Sequence, residues 1–299
     1  MENEIRMASI LNIEGLKKSF GRKEVLHGLS LSVEKGKVYG LLGRNGEGKT
    51  TLIRILLGII PADAGSVVYQ GRPISFASSA YKASIGYIPE DPFFYDVMSI
   101  REFLDFNRGF YPRWNPGKAA GYLSDYSLDP RAKIRELSRG MKLKLALATA
   151  LAAEPDLLVL DDPTSGLDVP TRQDFLRDII RELAAAGTTV FFATHMVHEL
   201  ERIVERLGIL HGGRLILDED FGRIKELTMR VSLTFEGEAP LALRLPGTIC
   251  EQKNGKHTET VVYPWGEAAE AQVVHLSPVR KDIHPMSLED IFVSFVTRV

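Results

Sequence analysis

Gly43-Arg44-Asn45-Gly46-Glu47-Gly48-Lys49-Thr50, followed by Thr51, lies between a short apolar run, Val38 to Leu42, and an apolar stretch of helical character from Leu52 to Leu57. A strand, a G-x-x-x-x-G-K-[ST] loop and a helix in that order make a phosphate cradle. Gly43, Gly46 and Gly48 let the backbone bend so that successive N–H groups converge, and the helix that follows adds its positive N-terminal end. Lys49 is then expected to reach the outer phosphates of a polyphosphate, and the Thr50 hydroxyl to meet Mg2+. The plainer alternative is a glycine-rich turn that happens to contain Lys-Thr. The strand and helix on its two sides argue against that.

With 299 residues the chain has room for one large α/β domain and a smaller one. Lys and Arg number 37 against 39 Asp and Glu, so the formal net charge of −2 gives no bulk attraction for nucleic acid or anionic lipid. Cys250 is the sole cysteine, which excludes an intrachain disulfide and a cysteine-built metal site and suits a reducing compartment. The N-terminal MENEIRMASI lacks the basic-then-apolar pattern of a secretion signal, and no run of about 18 apolar residues occurs. The expectation is a chain that neither is secreted nor spans a membrane.

Apolar runs at Val25–Val33, Val38–Leu42, Leu157–Leu160, Val190–Ala193 and Leu207–Leu210 alternate with segments of helical period. That is the rhythm of an α/β fold with a largely parallel sheet. Helices are predicted over Thr50–Gly58, Ile100–Phe110, Gly140–Ala153, Pro170–Ala186 and Val197–Glu205, each bounded by Gly, Pro, Ser or Asp. Residues 91–150 read as a helical lobe. After about residue 228 the pattern turns to short alternating runs, Met229–Phe235 and Thr258–Tyr263, with Asn254-Gly255 as a hairpin signal and a short amphipathic helix in Pro285–Val299. The expected division is 1–228 and a small β-rich appendage, 229–299.

Leu157-Leu158-Val159-Leu160-Asp161 is an apolar strand ending in a carboxylate, about 110 residues after Lys49, and Asp162-Pro163-Thr164-Ser165-Gly166-Leu167-Asp168 follows at once. A buried strand of this kind delivers Asp161 to the phosphate loop as a Mg2+ ligand, directly or through water. Leu137-Ser138-Arg139-Gly140-Met141 precedes a helix, and Phe191-Phe192-Ala193-Thr194 leads to His195. In this order of motifs the chain, over about residues 9–225, resembles the nucleotide-binding subunits of ATP-binding-cassette (ABC) transporters. The resemblance implies a P-loop NTPase fold of the ABC ATPase type, with a RecA-like core, the helical lobe and a small C-terminal β-rich domain.

The resemblance also implies roles. Phe20 falls where the family stacks an aromatic on adenine; a core phenylalanine is the alternative. Ser138 and Gly140 match the signature segment, which in the family faces the phosphate cradle of a second protomer, so that ATP is sandwiched in a dimer of identical or paralogous cassettes. Seen alone, Ser138 is equally well a helix N-cap. Asp168 matches the loop that crosses between protomers, and His195 the histidine that meets the γ-phosphate. His27, His198, His211, His257 and His284 have no such context and are read as structural.

The chain departs from the family pattern in three motifs. Asp162 stands where Glu usually acts as general base or water-orienting group, and is one methylene shorter, which matters because base catalysis depends on reach. Glu90, after Ile85-Gly86-Tyr87-Ile88-Pro89, replaces the usual Gln and could contact Mg2+ or its water, or simply form a solvated turn. Arg139 and Met141 replace Gly and Gln in the signature. The expected cofactors are ATP and Mg2+, and the expected hydrolytic residues Asp162, His195 and Glu90.

A cassette without a membrane segment implies a separate integral-membrane permease, and the resemblance places its docking beside Glu90, where Asp91-Pro92-Phe93-Phe94-Tyr95 supplies aromatics; packing of those rings inside the lobe is the alternative. This would hold the chain at the inner face of the cell membrane. Met286-Ser287-Leu288-Glu289-Asp290-Ile291-Phe292 resembles a tail of the export-type, ABC-2-like branch. A soluble ATPase serving cofactor or complex assembly stays open, because the ATP site alone does not name the load. No nucleic-acid partner is expected.

Overall fold

Val38–Leu42, Leu157–Asp161 and Thr189–Thr194 are buried at every position, as strands covered on both faces require. The computed structural model describes residues 9–74 and 80–297, without the side chains of 181–186. Residues 1–8, on which the expectation about a secretion signal rests, lie outside the described residues. The chain forms two compact units, 1–204 with 210–215 and 205–209 with 216–299.

In the first unit the order is β1 (Ser9–Phe20), β2 (Lys23–Glu34), β3 (Val38–Leu42), α1 (Lys49–Leu56), β4 (Ala64–Tyr69), β5 (Arg72–Pro73) and β6 (Ile85–Ile88). There follow α2 (Ile100–Arg108), α3 (Pro116–Asp125), α4 (Arg139–Ala152), β7 (Leu157–Asp161), α5 (Val169–Ala186), β8 (Thr189–Thr194) and α6 (Val197–Leu200). Strands β6, β7, β8 and β3 pair side by side and parallel in that order. Tyr39 and Phe191 stack across β3 and β8 with ring centroids 5.6 Å apart.

A second sheet, in the order β2-β1-β4-β5, is antiparallel. The run Val25–Val33 therefore belongs to this sheet and not to the parallel one, and its partner β1 is a strand that the apolar-run reading leaves out. The reason is visible in β2: Leu26, Leu29, Leu31 and Val33 are buried while Ser30 between them is exposed, the one-sided burial of an antiparallel sheet. The helix expected over Val197–Glu205 ends at Leu200. There Ile203 N–H donates to Leu200 O, a tighter turn that packs Leu200 and Val204 against Gly40, where a Cβ would lie 2.8 Å from Val204.

The lobe has its own core, in which Ile100, Phe103 and Leu104 of α2 meet Leu123, Leu128, Ile134 and Leu145. α2 starts with a capping box: Glu102 N–H donates to Ser99 Oγ at 3.2 Å, and Ser99 N–H to Glu102 Oε2 at 2.6 Å.

β9 (Arg206–His211) and β10 (Arg214–Asp220) carry the chain across the change of unit. The second unit continues with α7 (Phe221–Leu227), β11 (Met229–Thr234), β12 (Thr248–Asn254), β13 (His257–Val262), α8 (Glu267–His275), β14 (Arg280–Pro285) and α9 (Leu288–Val296). Its sheet, β12-β13-β11-β14, is antiparallel. Gly255, at φ +59°, turns the β12–β13 hairpin, so Asn254 pairs with His257. The compact unit begins earlier than the change of pattern at about 228. Ile224 of α7 is fully buried and Trp265 N–H donates to Leu227 O, so α7 packs with the strands that follow it.

Candidate active site

Strand register brings the chemistry to one edge. Leu42 lies opposite Thr194, and Ala193 opposite Asp161, so β3, β7 and β8 end together at the carboxyl edge of the parallel sheet, where ligands of such sheets bind. Gly43 N–H donates to Thr194 O at 3.2 Å, and a Cβ on Gly43 would stand 2.9 Å from Leu210 O. Gly48, at φ +108°, is the N-cap of α1, and a Cβ there would come within 2.9 Å of Leu26 Cδ2. No side chain caps α1 and no acidic residue occupies its first turn, which leaves its N–H groups and dipole for an anion.

An open cleft of about 580 Å³ lies over this edge, lined by Phe20, Val25, Asn45, Lys49, Glu90 and Asp162 among others. Gly46, Gly48, Thr50 and Thr51 line it as well. Phe20 is half exposed, not a core residue, and the Lys18 ammonium stands 5.5 Å from its ring centroid. Glu90 is exposed.

The buried Lys49 ammonium donates to Gly43 O at 2.8 Å and Arg44 O at 3.3 Å, and stands 3.4 Å from Asp162 Oδ2. Thr50 Oγ1 donates to Asp161 Oδ1 at 3.2 Å. Burial pushes the Asp161 carboxyl up from its ordinary value; the Thr50 hydroxyl and Lys49 oppose this, while Asp162 and Glu90 reinforce it. Burial works in the same sense on Asp162 but is outweighed. Lys49, the His195 N–H and the His195 ring hold Asp162 below its usual range.

Asp162 sits at φ +46°, a left-handed conformation that Asp tolerates better than most residues, with its N–H bonded to Ala193 O at 2.8 Å. That turn aims Oδ1 at His195, 2.8 Å from Nδ1 and 3.0 Å from the backbone N–H. An ionised carboxylate only accepts, so Nδ1 carries the proton and Nε2 is the nitrogen left for another partner.

Asp161 and Thr50 put a carboxylate and a hydroxyl oxygen side by side, hard donors suited to Mg2+. Among the described residues there is no group of three or more His, Cys, Asp or Glu able to cage a metal. A Mg2+ bound through one or two protein oxygens plus substrate phosphate needs none.

The other expected residues fall outside this cleft's lining. Ser138 N-caps α4, its Oγ accepting from Met141 N–H at 3.2 Å. Gly140 abuts α5, where a Cβ would stand 3.0 Å from Thr171 Cγ2. Asp168 accepts from Thr171 N–H at 2.9 Å and from Thr171 Oγ1 at 3.0 Å, and those bonds hold its carboxyl below the usual value. Glu47 directs its carboxylate to the β9–β10 turn, accepting from His211 Nδ1 at 3.1 Å and from Gly212 N–H. Its backbone N–H donates to Arg44 O at 3.4 Å.

Phe94 is a lobe-core residue, tilted against Phe103 at 5.1 Å, whereas Phe93 and Tyr95 are exposed. Sequence reasoning passes over Thr164, Arg172 and Glu199, three groups joined beside the Asp162–His195 pair. An ionisable residue one helical turn after His195 is the only signal the sequence offers for Glu199. Among the described residues no helix is long and apolar enough to cross a membrane.

Comparison with known proteins agrees with this geometry. The ABC transporter family profile matches residues 26–165. The ABC transporter ATP-binding protein YtrB of Bacillus subtilis is 31% identical over 285 residues, covering 95% of this chain and 97% of its own. The Nod factor export ATP-binding protein I of Burkholderia orbicola is 34% identical over 308 residues, covering 96% and 97%. A solved nucleotide-free ATP-binding cassette from an ABC transporter superposes with a TM-score of 0.63 at 27% identity, over 73% of this chain and 94% of that one. With full-length relatives on this scale, the chain belongs to the ABC transporter family, as one of its ATP-binding, ATP-hydrolysing subunits.

Proposed function

We propose that this chain powers a separate membrane permease, in the direction of export, by closing as a dimer over two ATP molecules and hydrolysing them. The observation that carries the hydrolytic part is the Asp162 carboxylate, 2.8 Å from His195 Nδ1 on one oxygen and 3.4 Å from the Lys49 ammonium on the other. Lys49 and the N–H groups opening α1 bind the phosphates; Phe20 offers its exposed ring to the base. Thr50, Asp161 and Glu90 would hold Mg2+, which when bound neutralises charge on the phosphate oxygens. Asp162 and His195 orient the attacking water and receive its proton. The shorter side chain at 162 meets His195 from a left-handed backbone, and that contact supports a role for Asp162 in turnover.

Ser138 and Gly140, outside the cleft of their own protomer, would meet the ATP of a second copy, and a two-fold dimer would repeat that contact at both nucleotides. Relatives named for Nod factor export and linearmycin resistance support export. Exposed Phe93 and Tyr95, in edge-to-face contact at 5.6 Å, are the permease-facing aromatics, which would hold the chain on the inner face of the membrane. The test is Asp162→Asn: ATP binding kept and turnover lost supports the assignment, and unchanged turnover overturns it.

A further inference from the structure

Glu199 is a fully buried carboxylate that the hydrolytic reading leaves unused. Its Oε1 accepts from the Thr164 hydroxyl, and its Oε2 from the Thr194 hydroxyl at 3.2 Å. Arg172 closes the remaining side, with Nε 3.3 Å from Oε1, near enough for an ion pair but off the hydrogen-bond axis. The same guanidinium donates to Leu167 O at 3.2 Å and, since arginine has no acceptor, to His198 Nε2 at 2.6 Å. Thr164 and Thr194 are fully buried too.

These groups join the two loops that carry the reacting pair. Ser165 N–H donates to Asp162 O at 3.2 Å and Leu167 N–H to Thr164 O at 3.1 Å, which makes 162–167 one folded loop. Thr194 precedes His195 directly, and its hydroxyl accepts from Met196 N–H at 3.0 Å. Glu199 thus grips the first loop through Thr164 and, by way of Arg172, through Leu167, and the second through Thr194. Stability alone does not call for such a group, because a buried ion pair is often no more stable than apolar residues of similar volume. Each hydroxyl is met by its own carboxylate oxygen, and the carboxylate supplies the negative charge that faces the guanidinium. Glutamine has the shape but only one such oxygen.

From this geometry we propose that Glu199, braced by Arg172, is the positioning residue of ATP hydrolysis, fixing the Asp162 and His195 loops in the one relation that lets His195 Nδ1 meet the carboxylate. The inference rests on the assignment of Asp162 and His195 as the hydrolytic pair.

The experiment uses the full chain and reads steady-state ATPase together with binding of a fluorescent ATP analogue. Glu199→Gln is expected to lower kcat about tenfold or more, as small misplacements of reacting groups do. KM and the analogue Kd are expected to stay within about twofold, since ground-state binding is untouched. Adding Glu199→Gln to His195→Gln is expected to cost nothing further, because both act on one unit. Should Glu199→Gln fail to fold, Thr164→Val removes one hydroxyl donor and carries the same expectations. A folded Glu199→Gln with native kcat, or losses that multiply in the double variant, overturns the inference while leaving the hydrolytic pair standing. Native turnover in His195→Gln overturns the pair, and this inference with it.

Discussion

The two neighbouring carboxylates at the end of β7 carry opposite shifts, and each has a stability consequence. Asp162 has a folded value below its ordinary 3.8, so its contribution to stability is present above that pH and is lost as pH falls through the lower folded value. The stability gap between the native chain and Asp162→Asn, read by denaturant melts, should therefore be widest above pH 3.8 and close below it. Asp161 is raised by burial, so its ionised form at neutral pH opposes folding, a cost relieved as pH falls below the folded value. Asp161→Asn should raise Tm in metal-free buffer at pH 7 while weakening Mg2+-dependent ATP binding; a lowered Tm would contradict the burial argument. Gly48→Ala forces a Cβ to 2.9 Å from Leu26 at φ +108° and should destabilise the chain and disrupt ATP binding together. Lys49, Thr50 and Asp161 were legible because their spacing relative to strand and helix is fixed by what a phosphate needs. Glu199 was not, because its partners Thr164 and Arg172 come from residues 27 to 35 positions away, and only folding joins them.

Among the elements, α2 and the loop before it separate two kinds of aromatic that the sequence runs together. Phe94→Ala should cost about 3 kcal/mol by opening a void beside Phe103, with ATP affinity per folded molecule unchanged. Phe93→Ala with Tyr95→Ala should leave Tm nearly unchanged and abolish co-purification with the permease from detergent-solubilised membranes; retained co-purification would remove these rings from the docking surface. Ser99→Ala, which breaks the capping box, should cost about 1 kcal/mol. Adjacent residues of Phe93-Phe94-Tyr95 share a composition and differ only in direction, so no periodicity could sort them. The long helices and the wholly apolar strands were legible, because length and continuous burial leave their own pattern. Strand β1 was not: Ser9–Phe20 mixes Asn12, Glu14, Lys17 and Lys18 with its apolar residues, and becomes a strand by pairing with β2 and β4.

At the scale of the molecule, the phosphate cradle is assembled within one chain, and the segment 138–140 is not part of it. Lys49, Thr50 and Glu90 line the cleft, while Ser138 and Gly140 lie elsewhere, Ser138 occupied in capping α4. If capping were all that Ser138 did, Ser138→Ala would cost about 1 kcal/mol of stability and leave turnover per folded molecule intact. In the dimeric account the same substitution depresses kcat well beyond that loss of folded protein. The family resemblance that the motif order carries implied this division; the appendage's hairpin was readable from Asn254-Gly255, but not the inclusion of α7 in its unit, which depends on the burial of Ile224 and on the Trp265 N–H bond to Leu227 O, some 40 residues apart in sequence. The most direct measurement is the specific ATPase activity of the purified chain at saturating ATP and Mg2+ as protein concentration is raised. The account predicts a rate per protomer that climbs with concentration to a plateau, while ATP binding per protomer stays constant; a rate per protomer that is flat down to concentrations at which light scattering finds only monomer would contradict it.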